Sequence, residues 1–351
     1  MIRTRNLPFV ATVVIFVLAY ALCAAQFPAI LSWRVAGNLL TDNAFLGIAA
    51  VGMTFVIISG GIDLSVGAVI AFTSVLVAVL VRAGVHPALA FGLALMVSTA
   101  FGALMGLMID LLKMPPFVVT LAGMFLARGA AFLISTESVP ISHPFLRSLK
   151  SIAIALPDKG KLSFLGLLML AVFAAGVVVA HRTRFGANVY ALGGSAQSAE
   201  LMGVPVRRTT VQLYALSGFL AGLSGLAYTL YTSAGYSLAT VGVELDAIAA
   251  VVVGGTLLTG GAGLILGTLF GVLIQGLIQT YIVFDGSLSS WWTKIVVGLL
   301  LFAFIVLQRV IVLVSDYRAA RKTTRSGPIQ SGSGHAGSGQ SAMSQSGAGA
   351  R

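Results

Sequence analysis

Ten apolar stretches separated by short polar loops constrain this chain more than any other feature of its sequence. A helix needs about 20 mostly apolar residues to cross the hydrocarbon core of a bilayer. The pattern therefore predicts an all-α polytopic membrane protein with about eight to ten transmembrane helices. The stretches cover residues 7–27, 44–59, 66–82, 88–111, 117–135, 163–180, 209–232, 246–258, 264–284 and 293–314.

Some of these stretches are too short for a full crossing. Segments 44–59 and 66–82 fall below the usual length, and 246–258 is shorter still. We expect broken helices or half-helices among them, as in many transporters. A soluble fold is excluded, because only 9% of the residues are charged, whereas soluble domains carry roughly 25%.

The composition divides the chain into a transmembrane domain, residues 1–315, and a tail, residues 316–351. After Arg325 the sequence consists mainly of Ser, Gly, Gln and Ala without apolar periodicity. Such a segment cannot bury enough apolar surface to fold. We therefore expect a disordered cytoplasmic tail.

The distribution of basic residues predicts the orientation in the membrane. In a model with a cytoplasmic N-terminus and ten crossings, most Lys and Arg residues fall in cytoplasmic loops, as the positive-inside rule requires. The predicted outside loop 136–162, which also carries basic residues, is the exception. We expect both termini in the cytoplasm. The net charge of +11 then reflects topology and lipid headgroups, because no basic face with interleaved aromatic residues indicates nucleic acid.

The first apolar stretch has two interpretations. Arg3 and Arg5 precede it, and Ala24 and Ala25 lie near a plausible signal-peptide cleavage point. The stretch is, however, longer than the apolar core of about 7 to 15 residues that is typical of a signal peptide. We favour an uncleaved first helix.

Two glycine-rich segments resemble each other within the chain. Residues 60–67 and 254–261 share the pattern Gly-Gly-x-x-Leu-(Ser/Thr)-x-Gly, each after an apolar run. Transporter halves often derive from repeats, and glycine-interrupted apolar segments at matching positions point to the transport route. A coincidence between two turns in a chain with 41 glycines is the alternative. The predicted route residues in these segments are Gly60, Gly61, Asp63, Ser65, Gly254 and Gly255.

Asp63 lies between two apolar stretches, where an unpaired charge is costly. The carboxylate of Asp63, or the hydroxyl of Ser65, can cap the following helix. Alternatively, Asp63 contacts a solute that passes along a wet channel. A second acidic pair, Glu244 and Asp246, is spaced by two residues and does not share a helix face. We interpret it as favourable charge at a helix N-terminus rather than as an acid–base pair.

The polar segment between 181 and 208 contains a short run of small residues. Ser195 can cap a helix there, and Gly203 can end it in the left-handed conformation. A helix of this kind can dock into a groove on a cytoplasmic partner. The alternative is an ordinary basic cytoplasmic loop.

Several kinds of chemistry are excluded by the motifs. No G-x-x-x-x-G-K-[ST] phosphate loop occurs, so this chain does not hydrolyse ATP by that route. The four histidines lack metal-ligand spacing, and the single cysteine, Cys23, allows no intramolecular disulfide. We expect no catalytic residues, no metal and no cofactor in this chain. A membrane enzyme is therefore disfavoured.

Three tryptophans lie near predicted membrane borders. Trp33, Trp291 and Trp292 fit the aromatic belts of membrane proteins. Stacking on a sugar ring is the alternative role.

Four sequence blocks resemble the permease subunits of bacterial ATP-binding-cassette carbohydrate importers of the ribose, arabinose and xylose branch. They are ISGGIDLSVGA at 58–68, KMPPFVVTLAGM at 113–124, YALGGSAQSAELMGV at 190–204 and GVELDAIAAVVVGGTLLTGGAG at 242–263. Together they span most of the chain in the family's order. The chain ends and the block FDGSLSSWWTKI at 284–295 look most similar to one of the paired permeases of the galactofuranose importer.

The resemblance implies a subunit of the bacterial inner membrane with three kinds of protein partner. These are a cassette ATPase that carries ATP and Mg²⁺, a periplasmic sugar-binding protein, and a second related permease that completes a heterodimeric pore. Coupling to the ATPase maps onto Gly193, Gly194, Ala199 and Gly203. Asp63 and Asp246 fall at the matching acidic positions of the two glycine-rich blocks, which adds Asp246 to the predicted route residues. Glu200 departs from the neutral or apolar residue common in relatives, so partner contacts there can differ.

The resemblance implies import of a neutral sugar by alternating access. Galactofuranose is the expected sugar, and another pentose or hexose such as ribose is the alternative. Few Arg or Lys residues lie within the apolar stretches to attract an anion, although the position of Arg128 stays open. A proton-coupled sugar transporter is a further rival, disfavoured because no chain of intramembrane Asp, Glu and His residues is present.

Overall fold

The computed structural model describes residues 7–289 and 291–325. Within these residues fourteen α-helices dominate, joined by a single 3₁₀ turn at Pro28–Leu31 and four short strands. The helices are α1 (Leu7–Gln26), α2 (Trp33–Asp42), α3 (Ala44–Ile58), α4 (Val66–Arg82), α5 (Pro87–Leu111), α6 (Pro116–Ile134), α7 (Pro144–Ser151), α8 (Phe164–Arg182), α9 (Arg184–Gly194), α10 (Ala196–Leu201), α11 (Val206–Thr232), α12 (Val243–Val253), α13 (Ile265–Asp285) and α14 (Trp291–Arg325).

The chain divides into two units, Met1–Gln308 and Arg309–Arg351. All contacts discussed below belong to the first unit. In the second unit the helix α14 continues to Arg325, which is past the boundary at residue 315 drawn from the sequence. Residues 326–351 lie outside the described residues, so the disordered tail stays a prediction.

Six helices in the described part are long and apolar enough to cross a membrane, namely α1, α5, α6, α8, α11 and α13. The pair α2 and α3 meets the same criterion together but bends by 55°, so up to seven crossings result if the pair is one span. Two further apolar helices, α4 and the first part of α14, are shorter. The predicted all-α polytopic fold with broken helices is confirmed.

Helix boundaries follow local chemistry. Proline stands in the first turn of α5, α6 and α7, where its missing N–H costs no hydrogen bond. The Ser163 side chain caps α8 by accepting from the backbone N–H of Gly166. Gly286 ends α13 with a φ of 66°, the left-handed conformation that favours glycine.

The helix α11 lies at the centre of the bundle against α3, α4 and α5. It approaches α5 closely, because a methyl group on Gly102 would overlap the carbonyl oxygen of Tyr214. A methyl group on Gly218 would likewise overlap the carbonyl oxygen of Ser98. Lipid tails are as apolar as the interior of the protein, so burial of apolar surface does not drive helices together in a membrane. Small residues favour helix packing there, because they let the two backbones approach closely.

The predicted outside loop 136–162 forms compact structure rather than an extended loop. Strand β1 (Val139–Pro140) pairs antiparallel with β4 (Ala234–Gly235), and β2 (Ala153–Ala155) pairs antiparallel with β3 (Lys161–Ser163). The first pair joins the end of α6 to the segment after α11. This first pairing holds the start of the segment that leads from α11 into α12.

The first apolar stretch is packed into the domain as α1. The Thr12 hydroxyl donates to the carbonyl of Val253 at 2.6 Å, and the rings of Phe9 and Phe16 contact Phe270 of α13. This helix thereby covers the outer side of α12 and α13.

Candidate functional site

The two glycine-rich repeats touch each other in the folded chain. The backbone N–H of Gly261, in the second repeat, donates to the carbonyl of Ile58 beside the first repeat at 2.8 Å. The last residues of α9 pack onto the same place, and the Tyr190 hydroxyl donates to the carbonyl of Gly263 at 2.8 Å. We call this contact of three segments the glycine junction; its members are Ile58, Gly60, Gly193, Gly194, Gly260 and Gly261.

Close backbone contact at the glycine junction requires glycine. A methyl group on Gly193 would overlap the carbonyl oxygen of Ile58. Gly60, Gly260 and Gly261 have φ angles of 84°, 83° and 74°, which other residues rarely adopt. Gly194 differs, because a methyl group there meets no atom within 4 Å. The structure therefore brings predicted route residues and predicted coupling residues into one contact.

The two predicted glycines of the second repeat, Gly254 and Gly255, lie against α13 and α1. A methyl group on Gly254 would lie 2.6 Å from the backbone N of Thr268 in α13. Gly255 has a φ of 89°, and a methyl group there would lie 3.0 Å from the backbone of Pro8. This end of α12 is thus held by helix packing.

Asp63 is buried, with 1% of its surface exposed, and it bonds to its own turn and to α11. One carboxylate oxygen accepts from the backbone N–H of Ser65 at 2.9 Å and from its hydroxyl at 2.6 Å. The other accepts from the hydroxyl of Ser217 in α11 at 2.6 Å. Asp63 therefore closes the turn before α4 and fastens it to α11. The Ser65 hydroxyl, at the N-cap position of α4, makes no capping bond to that helix, and Asp63 bonds to Ser65 rather than to the N–H groups of α4, so the predicted helix cap is not formed.

Glu244 and Asp246 both lie in the first turn of α12, where the helix dipole favours negative charge. Glu244 is buried and accepts from the backbone N–H of Gly242 at 3.2 Å. It lies beside the start of α4, because a methyl group on Gly67 would overlap its carboxylate. Asp246, in contrast, faces an open cavity.

This cavity, which we call the central cavity, has a volume of about 840 Å³ and lies between α2, α3, α11, α12, α13 and the start of α14. Apolar and aromatic side chains form much of its wall, and carboxylates, amides and hydroxyls project among them. Its lining includes Asn38, Asp42, Asn43, Phe45, Tyr228, Tyr231, Asp246, Gln275, Gln279, Thr280, Phe284, Trp291 and Lys294.

The strongest polar contact in the central cavity joins α12 to α14. The Lys294 ammonium donates to both carboxylate oxygens of Asp246, at 2.7 and 2.6 Å. The side-chain amide of Gln275 in α13 donates to the backbone carbonyl of Asp246 at 3.0 Å. Asp246 is thus fixed by three helices and still borders open space.

Lys294 and Gln275 are not among the site residues predicted from the sequence. The sequence does mark Lys294 as unusual, because it is the only Lys or Arg between Arg208 and Arg309. It does not mark Gln275, because one amide inside an apolar helix is compatible with many packing roles. Among the predicted route residues, Asp246 lines the cavity, whereas Asp63, Ser65 and the four glycines do not.

The helix α10 forms as the small-residue run indicates. The Ser195 hydroxyl caps it by accepting from the backbone N–H of Ser198 at 3.2 Å, and Gly203 follows it with a φ of 82°. Ala199 is fully buried, while Leu201 and Met202 are 86% and 74% exposed. The helix therefore presents an apolar pair outward and is attached by its small face.

Arg128 in α6, the arginine whose position was open, is half-buried and bound to backbone. Its Nη1 donates to the carbonyls of Ser237 and Ala239 at 2.7 Å each. It shapes the segment between α11 and α12 and is absent from the cavity lining. In the described ranges, no three His, Cys, Asp or Glu side chains are grouped so that they could hold a metal ion.

Comparison with known proteins adds a family match. Residues 35–305 match the family model described as "Branched-chain amino acid transport system / permease component". The matched range covers the glycine junction, α10 and the central cavity. No solved structure matches this chain.

Individual curated proteins are similar over most of their length. The inner membrane ABC transporter permease protein YjfF of Escherichia coli K12 is 61% identical over 92% of this chain and 97% of its own. The fructose import permease protein FruG of Bifidobacterium longum is 41% identical over 88% and 93%. The ribose import permease protein RbsC of Bacillus subtilis is 39% identical over 78% and 84%.

Proposed function

This chain belongs to the family of permease components described for branched-chain amino acid transport systems, and on that premise we propose that it is the transmembrane subunit of an ATP-driven carbohydrate importer. It imports galactofuranose and forms the translocation path together with a second, related permease. It lies in the bacterial inner membrane with both termini in the cytoplasm. It carries out no chemistry on the sugar.

The central cavity is the observation that carries this proposal. Ligand cavities measure roughly 300–1,000 Å³ and combine apolar walls with a few polar groups, and this one measures about 840 Å³. Its carboxylates and amides accept and donate hydrogen bonds to hydroxyl groups, while its aromatic side chains offer flat apolar faces. A monosaccharide presents both kinds of surface.

The names of the relatives support a sugar as the solute. Permeases for fructose and ribose are 41% and 39% identical to this chain over most of its length. The choice of galactofuranose rests on the sequence resemblance at the chain ends and at residues 284–295. Ribose or another pentose or hexose is the alternative, favoured by the names of these two relatives.

We further propose that α10 and the glycine junction couple the permease to a cassette ATPase, which holds ATP and Mg²⁺. The exposed pair Leu201 and Met202 supplies the apolar contact for that partner. The end of α9 directly precedes α10 and packs on the backbone of both glycine-rich repeats. A displacement of α10 therefore acts on the turns that precede α4 and follow α12.

A periplasmic binding protein delivers the sugar in this proposal. Solute selection is then shared between that protein and the cavity. Alternating access opens the cavity first to the outside and then to the inside.

Uptake by the reconstituted complex tests the proposed function. The chain is placed in vesicles with the neighbouring permease, the ATPase and the binding protein, and uptake of radiolabelled galactose, which includes the furanose form, is compared with that of ribose and fructose. We expect ATP-dependent uptake, greatest for galactose, that stops with a hydrolysis-dead ATPase. Uptake that continues with the dead ATPase supports the proton-coupled rival, and uptake of no sugar refutes the proposal.

A further inference from the structure

Among the lining residues that the structure describes, the pairing of Asp246 with Lys294 leaves no unpaired cation in the central cavity. The lining contains two carboxylates, Asp42 and Asp246, and one ammonium group, Lys294. Because Lys294 binds both oxygens of Asp246, its charge is compensated. Asp42 accepts from the Tyr231 hydroxyl at 3.2 Å, so it stays a carboxylate without a cationic partner in the lining.

From this charge pattern we propose that the Asp246–Lys294 pair is a selectivity element, which admits uncharged sugars to the central cavity and rejects sugar acids. The inference rests on the proposed function and adds the two residues that set which solute charge the cavity accepts. Asp246 compensates Lys294, and together they offer hydroxyl groups both acceptors and donors.

The position of the pair suits this role. Both residues line the cavity, and 22% of the Asp246 side chain and 53% of the Lys294 side chain are exposed, so a solute can reach both groups. Gln275 holds the backbone of Asp246, and Asp246 lies in the first turn of α12, where the dipole stabilises its negative charge. The pair is therefore both accessible and fixed in place.

Charge compensation explains rejection of anions. An anionic solute enters a cavity whose formal charge is negative, and the carboxylate of Asp246 beside Lys294 offsets the attraction that the ammonium would give it. A neutral sugar meets no such repulsion, and its hydroxyls can bind the outer lone pairs of Asp246 and the remaining N–H group of Lys294 in the intact pair. Removing one partner of a partly desolvated pair leaves the other charge uncompensated, so neutralising Asp246 should reverse the preference.

Galactose and galacturonate are suitable probes, because they differ by one carboxylate at the last carbon. Trp291 lines the cavity and reports binding by its fluorescence. Replacing Trp33 and Trp292 by Phe leaves it as the sole tryptophan, since the chain has 3. The purified full chain with these two replacements, in lipid nanodiscs, is the parent protein for titration.

For the parent we expect galactose to bind at least tenfold more tightly than galacturonate. Asp246→Asn should tighten galacturonate binding at least tenfold, and added salt should weaken that gain because it screens the exposed charge. Lys294→Gln should not tighten it. The double exchange Asp246→Lys with Lys294→Asp restores a compensated pair and should restore the preference for galactose. Glu137→Gln, which changes an exposed acid outside the cavity lining, is the matched control and should change nothing.

The proposal is refuted if the parent does not bind galactose, or if Asp246→Asn leaves galacturonate binding unchanged while its unfolding temperature equals that of the parent. The double exchange is a control for misfolding of the single variants. Its ion pair is restored, so it should again prefer galactose to galacturonate. Uptake by the whole complex distinguishes a failure of this inference from a failure of the proposed function. Import of galactose by a complex whose Asp246→Asn variant still rejects galacturonate refutes this inference and leaves the proposed function intact.

Discussion

The carbonyl of Ile58 accepts a hydrogen bond from the backbone N–H of Gly261 at 2.8 Å, and this bond joins the two glycine-rich repeats. Each repeat interrupts an apolar run, and each by itself would leave backbone groups unpaired inside a membrane domain. Their mutual contact satisfies part of that need. It also places the end of α9 where a movement of α10 reaches both interruptions together.

Adjacent glycines at the end of α9 provide the first prediction. Gly193→Ala places a methyl group on the carbonyl oxygen of Ile58, so we expect a loss of stability of about 1–3 kcal/mol, as for other overpacked sites, and strongly reduced uptake. Gly194→Ala places its methyl group in open space, so this variant should keep the stability and the uptake of the unchanged protein. Thermal unfolding in detergent and vesicle uptake measure the two effects. Equal stability and equal uptake of the two variants would contradict the close contact between Gly193 and Ile58.

The fastening of Asp63 provides the second prediction. Ser217→Ala removes a donor from a buried carboxylate and should cost about 1.5–3 kcal/mol, because bonds to charged groups are the stronger ones. Ser224→Ala is the matched control on the same helix, since the Ser224 hydroxyl donates to the neutral carbonyl of Phe45 at 2.6 Å; it should cost about 0.5–1.5 kcal/mol. Denaturant unfolding distinguishes them. A larger loss of stability in Ser224→Ala than in Ser217→Ala would contradict the attachment of Asp63 to α11 through Ser217.

The exposed pair on α10 provides the third prediction. Replacing Leu201 and Met202 by Ser should change the free energy of unfolding by less than about 0.5 kcal/mol, as is usual for exposed sites. It should nevertheless weaken association with the ATPase, measured by co-purification of the complex, and lower ATP-driven uptake. Ala199→Leu, at a fully buried position, should instead destabilise the chain. Unimpaired association of the Ser variant would place the ATPase contact elsewhere.

Arg128 provides the fourth prediction. Arg128→Met removes two charge-assisted hydrogen bonds, to the carbonyls of Ser237 and Ala239, each worth about 1.5–3 kcal/mol. We expect faster amide hydrogen exchange in the segment between α11 and α12. Arg147→Met, an exposed arginine on α7, serves as control. Unchanged exchange rates in both variants would show that the strand pair of β1 and β4 holds the segment without Arg128.

The amino-acid pattern alone predicts that this protein folds in a lipid bilayer, and it predicts where the apolar helices are interrupted. Apolar runs of bilayer length demand helices, because hydrocarbon offers no partner for an open backbone. Doubled glycines near Asp63 and Thr256 mark the interruptions, and Ser195 and Gly203 mark both ends of α10, since caps and left-handed residues are local chemistry.

The tertiary structure alone decided which of these residues meet. Local pattern could not show that Asp63 turns inward to Ser217 while Asp246 faces a cavity, because each is an acidic residue beside an apolar run. Nor could it pair Asp246 with Lys294, which lies on a helix far along the chain. Such pairs depend on how α11 to α14 pack, and that packing is set by the sum of many weak contacts between distant segments.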